Sequence, residues 1–350
     1  MTPRGWASLA GLAATAAALV APGKGILAAD GSGSTMSWRL AAAGVAATAA
    51  SRRAYREMLV TAPGLGSGIS GVILAAETLR QRLRDGRLLP AALADLGMMT
   101  GIKADAGAGP LAGTQGEPVT EGLDGLLDRL RTCAGLGAQF ATWRAVLRIG
   151  PGMPSPLAVR ANAQALARYA GACQEAGLVP IVEPAVLMNG SPSLGRCATV
   201  TSLVLLEVMT NLAEYGVDFA AVVLRPSMVW PGGDSATQPS PAEVAEATLG
   251  AFGSLPATLA GVAFLSGGQR PEQATENLAA MQRGLQLWPL TFGFGRALVD
   301  PALAAWRGEP GRCQAGQRAL ARRVALNVAA VEGRYSRDLE ASYQLSALSA

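Results

Sequence analysis

The chain has 350 residues, of which half are apolar and 15% are charged, and its formal net charge at pH 7 is +4. This length is enough for one large α/β barrel or for two ordinary domains. The modest net charge, without a basic run interleaved with aromatic residues, argues against a nucleic-acid partner. Histidine, the commonest zinc ligand and general base, is missing from the sequence, and we expect neither a metal nor a cofactor.

Residues 1–24 are rich in alanine and are predicted to form an N-terminal helix that leads directly into the first strand. Arg4 followed by an Ala/Leu run also fits a targeting signal, so a targeting role stays open. The apolar run is shorter than the ~20 residues that a membrane-spanning helix needs, which argues against a membrane partner. The cysteines form no CxxC pair, so we expect free thiols and a cytoplasmic location; they are Cys133, Cys173, Cys197 and Cys313.

Short apolar runs alternate with helix-like segments along the chain, which is typical of parallel βα units. Eight alternations without a break in composition predict the α/β class and a single (β/α)8 TIM barrel over residues 1–350. The segment 334–350 is polar without clear periodicity and is predicted to be a mobile tail. The predicted strands are 25–30, 71–77, 101–105, 143–149, 179–183, 220–226, 261–267 and 287–295.

Four of the predicted strands end in or near a charged residue, namely Asp30, Lys103, Glu183 and Arg225. In a parallel barrel the carboxyl ends of the strands meet at one mouth, where active sites are placed. Exposure of strand ends to solvent explains any one of these residues, but it explains all four together less well. We therefore expect the four side chains to share a functional site.

Seven ordered stretches carry a resemblance to a known family. They include Ala-Pro-Gly-Lys-Gly-Ile-Leu-Ala-Ala-Asp at 21–30, Val-Pro-Ile-Val-Glu-Pro at 179–184 and Phe-Leu-Ser-Gly-Gly-Gln at 264–269, and the others lie at 71–79, 110–114, 122–126 and 294–298. Together they closely resemble the class I fructose-bisphosphate aldolases. The resemblance implies a TIM barrel, a homotetramer and a phosphorylated sugar as partner, either fructose 1,6-bisphosphate or the triose phosphates. The family's glycolytic reaction cleaves fructose 1,6-bisphosphate to dihydroxyacetone phosphate and glyceraldehyde 3-phosphate through a Schiff base.

The resemblance implies phosphate contacts at both ends of a bisphosphate. Loops after the seventh and eighth strands of a barrel often hold phosphate, because glycines let backbone N–H groups approach and arginine offers two parallel donors. The residues in these two loops are Ser266, Gly267, Gly268, Gly295 and Arg296. The implied contacts for the other phosphate follow the first strand and are Ser32, Ser34, Arg39 and Arg52.

The resemblance also implies a catalytic group at the barrel mouth. Glu183 matches the family's general acid/base, and Asp30 matches the residue that orients the imine-forming group and binds substrate hydroxyls. Lys103 and Arg144 match residues that assist substrate binding. An ion network retained only for stability is the other interpretation of these four charges. Arg225 occupies the position of the lysine that forms the Schiff base.

Arg225 is unable to replace a Schiff-base lysine. Imine formation needs a primary amine that loses its proton and attacks a carbonyl carbon, whereas a guanidinium stays protonated, with a pKa of about 12.5–13.8. Other residues at the same site also depart from the family pattern that the resemblance implies. Thr142 occupies the position of a second lysine, Ala185 that of a second glutamate, and Gly31 that of a glutamate that follows the first-strand aspartate. Gly293 replaces a family serine in the loop after the eighth strand.

These departures predict a homologue that is inactive or strongly impaired as an aldolase and that binds sugar phosphates or acts as a scaffold. The alternative is an active aldolase with its amine relocated to Lys103, since Lys24 lies at the start of the first strand, far from the mouth. A different reaction on a phosphorylated carbonyl, carried out by Glu183 and Lys103, stays open. A zinc-dependent aldolase is disfavoured because such sites depend on imidazole ligands.

Overall fold

Eight parallel strands form the central sheet in a computed structural model, which describes residues 9–284 and 286–348. The described residues contain ten strands in all, which are β1 (Gly25–Ala29), β2 (Ile69–Ala75), β3 (Met99–Lys103), β4 (Gly107–Pro110), β5 (Pro118–Glu121), β6 (Phe140–Arg148), β7 (Val179–Leu187), β8 (Val223–Leu224), β9 (Gly261–Phe264) and β10 (Leu290–Phe292). Their order in the sheet is β1-β2-β3-β6-β7-β8-β9-β10, while β4 and β5 form a separate antiparallel hairpin. The backbone N–H of Ala28 donates to the carbonyl of Phe294 (3.0 Å) and joins the first strand to the last. The predicted TIM barrel is confirmed.

Helices follow the strands and pack around the sheet. Several begin at a serine whose side chain accepts a hydrogen bond from the backbone N–H three residues later, as at Ser155, Ser193 and Ser240. The α-helices of the described residues are α1 (Leu9–Leu19), α2 (Gly33–Ala42), α3 (Ala49–Val60), α4 (Leu65–Gly68), α5 (Leu89–Asp95), α6 (Leu126–Gly135), α7 (Pro156–Glu175), α8 (Leu194–Glu214), α9 (Pro241–Gly250), α10 (Pro271–Met281), α11 (Arg296–Trp306), α12 (Cys313–Val331) and α13 (Arg337–Leu348).

Apolar side chains fill the barrel interior, so the barrel has a packed core and is not a pore. Ile73, Phe140 and Ile181 belong to this interior cluster, together with Leu19 of α1. A Cβ atom on Gly101 would lie 2.0 Å from the Phe140 ring. Glycine at position 101 therefore leaves the space that the aromatic ring needs.

Helix α8 has an apolar composition that fits its place in the barrel. It has 21 residues, a mean hydropathy of 1.2 over its most apolar window, and half of that window is buried. By length and composition it is comparable to a membrane-spanning helix, but its apolar residues Val200, Val204 and Val208 are buried, and the helix packs on α7 and β7. The burial of this face accounts for its hydropathy.

The two ends of the chain differ in how they join the barrel. At the C-terminal end, Glu340 of α13 contacts the buried Arg323 of α12 at 2.6 Å and accepts a hydrogen bond from the Tyr335 hydroxyl (3.0 Å). The mobility predicted for residues 334–350 stays a prediction. At the N-terminal end, residues 1–8 of the predicted helix lie outside the described residues.

Candidate functional site

A polar cleft of about 260 Å³ opens at the carboxyl ends of the barrel strands. This is the end of a parallel barrel where side chains from many strands converge. The charged residues predicted from the strand ends all line it. The predicted site residues that the cleft brings together are Asp30, Ser32, Arg39, Lys103, Arg144, Glu183, Arg225, Ser266, Gly267, Gly295 and Arg296.

Three predicted site residues do not line this cleft. Ser34 is exposed on α2, and its Oγ lies 3.0 Å from that of Ser32. Arg52 on α3 donates from Nη1 to the Ser37 hydroxyl (3.0 Å). Gly268 lines a neighbouring cavity. Phosphate contacts at these three positions stay predictions, as do the roles predicted for the residues that line the cleft.

Glu183 on β7 is the central carboxylate of the cleft and is only 2% exposed. Its Oε2 accepts a hydrogen bond from Arg225 Nη1 at 2.6 Å, and its Oε1 lies 3.1 Å from Nε of Arg144. Arg144 is its direct neighbour in the register of β6 and β7. Burial raises the pKa of the Glu183 carboxyl, and the Arg225 and Arg144 guanidiniums act in the opposite direction. Both oxygens of the carboxylate are therefore already held by cations of the protein.

Arg225 follows β8 and is 3% exposed. Its Nε and Nη2 both donate to the carbonyl oxygen of Gly293, at 2.9 and 2.5 Å, beyond the end of β10. A Cβ atom on Gly293 would lie 2.8 Å from Arg225 Nε and 3.2 Å from its Cδ. Glycine at position 293 therefore leaves the space that the arginine side chain occupies. Three N–H directions of Arg225 are thus satisfied within the protein.

Lys103, at the end of β3, is the lysine that lines the cleft. Its Nζ lies 3.2 Å from Oδ1 of Asp105, whose other oxygen accepts from the Arg144 backbone N–H (3.3 Å). Sequence reasoning missed Asp105, although residues two apart at a strand end lie on the same side of the sheet. The second lysine, Lys24, donates to the Gly66 carbonyl (3.0 Å) at the amino end of β1. Among the described residues, Lys103 is therefore the lysine that can offer an amine at the mouth of this barrel.

Three residues that the sequence predicts to depart from the family pattern fit their surroundings. Thr142 is buried and donates to Glu183 Oε2 over 3.4 Å. Ala185 is fully buried two residues after Glu183 on β7. A Cβ atom on Gly31 would lie 2.8 Å from the Met36 sulfur. None of these three residues has a charged side chain.

Other residues of the cleft offer groups that suit a phosphate. Helices α2 and α11 both begin there, and the cleft is lined by Ser32 and Thr35 of the first and by Gly295 and Arg296 of the second. Helix N-termini attract anions through their unpaired N–H groups. Sequence reasoning missed Thr35, which lies one turn beyond the cap of α2. Among the described residues, Arg296 and Ser266 have no side-chain hydrogen bond or ion pair.

The cleft therefore contains both paired and unpaired cationic side chains. Arg225 is hydrogen-bonded inside the protein, Lys103 is paired with Asp105, and Arg39 contacts Asp300 of α11. Among the described residues, Arg296 is free to hold a ligand. Such a cleft can bind an anion, while its one lysine is paired with a carboxylate.

Comparisons with known proteins agree on one family. The family model described as "Fructose-bisphosphate aldolase class-I" matches residues 11–349. "Fructose-bisphosphate aldolase 4, cytosolic" of Arabidopsis thaliana is 45% identical over 332 residues, which cover 94% of this chain and 84% of that protein. "Probable fructose-bisphosphate aldolase class 1" of Xanthomonas campestris pv. campestris is 47% identical over 301 residues, which cover 85% of this chain and 90% of that protein.

A solved structure has the same architecture. The aldolase of Plasmodium falciparum, in a complex with TRAP and a small-molecule inhibitor, superposes with a TM-score of 0.91 at 40% sequence identity. The match covers 93% of this chain and 95% of that one. The likeness therefore extends over nearly the whole barrel.

Proposed function

Because the chain belongs to the class I fructose-bisphosphate aldolase family, we propose that it binds a phosphorylated sugar in the cleft but cleaves it slowly or not at all. The family reaction depends on an amine that forms an imine with the ketose, and the resemblance puts Arg225 at the position of that amine. A guanidinium has no nucleophilic lone pair to offer. The protein is thus proposed to be a sugar-phosphate-binding relative of the aldolases.

One observation carries this proposal, namely the internal bonding of Arg225. Its guanidinium holds Glu183 at 2.6 Å and the Gly293 carbonyl with two further N–H groups. The proposed acid/base is therefore bound to a permanent cation rather than to a titratable amine. Arg225 and Glu183 act together as a structural pair in this proposal, and neither exchanges a proton with the ligand.

The unpaired groups of the cleft support the binding part of the proposal. Members of this family bind phosphorylated sugars. The free Arg296, the backbone of Gly267 and the first turns of α2 and α11 line one cleft. Arginine and helix N-termini are both suited to phosphate oxygens.

Binding and turnover are tested separately. Calorimetric titration with fructose 1,6-bisphosphate should show binding, and a coupled assay for triose phosphate should show little or no cleavage. Replacing Arg296 by Gln should weaken binding by roughly ten- to a hundredfold, the usual worth of a hydrogen bond to a charged group. Arg307→Gln, at the exposed far end of α11, is the matched control and should leave binding unchanged. Absence of binding, or steady cleavage, would overturn the proposal.

The second candidate function is an active aldolase that uses Lys103. The observation in its favour is that Lys103 lines the same cleft and its side chain is 29% exposed. The observation against it is that the Lys103 amine lies 3.2 Å from Oδ1 of Asp105 and is therefore already engaged by a carboxylate of the protein. A covalent adduct on Lys103 is the result that separates the two candidates.

We also propose a cytoplasmic location and a homotetrameric assembly. Relatives at 45–46% identity are named cytosolic aldolases, and the family is typically oligomeric. Size-exclusion chromatography with light scattering tests the assembly, and fractionation of cells that express the tagged full chain tests the location.

A further inference from the structure

A second cavity, of about 320 Å³, adjoins the cleft. We call it the side pocket. It shares Arg144, Gly267 and Arg296 with the cleft, so the two spaces meet at these three residues. Its volume is at the lower end of the range of small-molecule sites. Arg144 and Arg296 therefore line both the cleft and the side pocket.

The wall of the side pocket contains both apolar and polar side chains. Val186, Leu187, Met188 and Trp230 provide an apolar surface, and the Trp230 side chain is packed so that the residue is only 8% exposed. Among the described residues that line the side pocket, none is acidic. The pocket therefore combines a tryptophan and aliphatic groups with a positively charged rim.

The polar part of the wall is held in place by internal hydrogen bonds. Gln269 accepts from the Asn277 amide at 2.7 Å and donates to the Met228 sulfur at 3.7 Å. The loops after β7 and β8 are joined by a hydrogen bond from the Gly233 N–H to the Met188 carbonyl (3.0 Å). A pocket fixed in this way loses little conformational freedom when a ligand binds.

We propose that the side pocket binds a planar apolar group attached to a phosphate, with the phosphoryl group held between Arg144 and Arg296. This inference rests on the proposed function, because it uses the same phosphate position. The ring would lie beside Trp230 and the aliphatic side chains of the pocket wall, and any polyol on the phosphate would lie in the cleft. The ligand class is therefore a phosphate ester of an aromatic or similar planar alcohol, rather than a simple sugar bisphosphate alone.

The test compares two probes that share a phosphate and differ in the ring. Calorimetric titration should show phenyl phosphate binding at least about tenfold more tightly than inorganic phosphate, since burial of a ring of this size is worth that much or more. Gln273 lies on the partly exposed edge of the side pocket. Gln273→Trp should fill the side pocket and abolish the tighter binding of phenyl phosphate over inorganic phosphate. Gln314→Trp, an exposed glutamine on α12, is the matched control and should retain it.

Trp230→Leu should also reduce the advantage of phenyl phosphate over inorganic phosphate. Equal affinities for the two probes in the unmodified protein, or an advantage that survives Gln273→Trp, would overturn the inference. Titration with fructose 1,6-bisphosphate is run alongside to separate the two proposals. Binding of the bisphosphate without any preference for phenyl phosphate over inorganic phosphate would refute the inference about the side pocket alone. Absence of binding for all three ligands would refute both proposals.

Discussion

The buried pair of Arg225 and Glu183 should behave as one structural unit, and a double-mutant cycle measures this directly. The variants are Arg225→Met, Glu183→Gln and the combination of the two. Methionine keeps most of the volume of the arginine stem, and glutamine keeps the shape of the glutamate. The cycle therefore reports the interaction between the two side chains with little change in packing.

The contacts set the expected size of the effect. Arg225→Met removes the 2.6 Å contact to Glu183 and two hydrogen bonds to Gly293. Loss of one partner of a buried ion pair costs roughly 3–5 kcal/mol. The lower end applies here, because Arg144 still contacts the other oxygen of Glu183 at 3.1 Å. When Glu183 has already been replaced by glutamine, Arg225→Met should lower the free energy of unfolding by a smaller amount. A coupling free energy of about 2 kcal/mol is therefore expected between the two sites.

Urea unfolding followed by circular dichroism gives the free energies. The control is the same cycle on Arg131 and Glu175, a pair at 3.0 Å whose side chains are about half exposed. Its coupling free energy should be less than about 1 kcal/mol. A coupling between Arg225 and Glu183 that is no larger than this surface value would refute the idea that the guanidinium serves as a structural partner of the carboxylate.

Three further predictions follow from the same cluster. Arg225→Lys alone should restore little cleavage of fructose 1,6-bisphosphate, because Thr142 and Ala185 stay uncharged at positions where the resemblance implies a second lysine and a second glutamate; turnover typical of the family would contradict this. Burial raises the pKa of Glu183, so above pH 4.5 the folded state still binds a proton that the unfolded chain has lost. The free energy of unfolding should therefore fall as the pH rises from 4.5 to the raised pKa of Glu183. Glu183→Gln should make that dependence shallower, and an unchanged slope would contradict the assignment. Gly293→Ala should lower the unfolding free energy by about 1–3 kcal/mol, because the new methyl group would lie 2.8 Å from Arg225 Nε, and the loss should be smaller in combination with Arg225→Lys.

The barrel can be predicted from the sequence because each strand is a short apolar run between turn residues. The predicted strand 220–226 shows where local chemistry competes with that pattern. Phe219–Ala221 forms a 3-10 turn, and the strand itself is only Val223–Leu224. The Asp218 side chain accepts from the backbone N–H of Ala220 at 3.0 Å, which favours the turn over the sheet.

The hairpin formed by β4 and β5 could not be found from periodicity. Its first strand, Gly107–Pro110, contains two glycines, one alanine and one proline, a composition that is depleted in strands. The second strand, Pro118–Glu121, is too short to show alternation. Only the antiparallel pairing of the two segments in space defines them.

The sequence predicts which charges meet at the barrel mouth, but it does not predict what each of them touches. Strand ends converge in any parallel barrel, so Glu183 and Arg225 were expected to be close. The direction of the Arg225 side chain depends on the space at Gly293, which lies 68 positions away in the chain. The role of Asp105 as partner of Lys103 likewise depends on side-chain direction.

The most direct test of the account is to trap an imine. The purified full chain is incubated with dihydroxyacetone phosphate and reduced with borohydride, and any modified residue is mapped by mass spectrometry. A class I aldolase of known activity, treated in parallel, provides the positive control. The account predicts no covalent adduct, because Arg225 has no amine to offer and Lys103 is paired with Asp105. An adduct on Lys103 would contradict it.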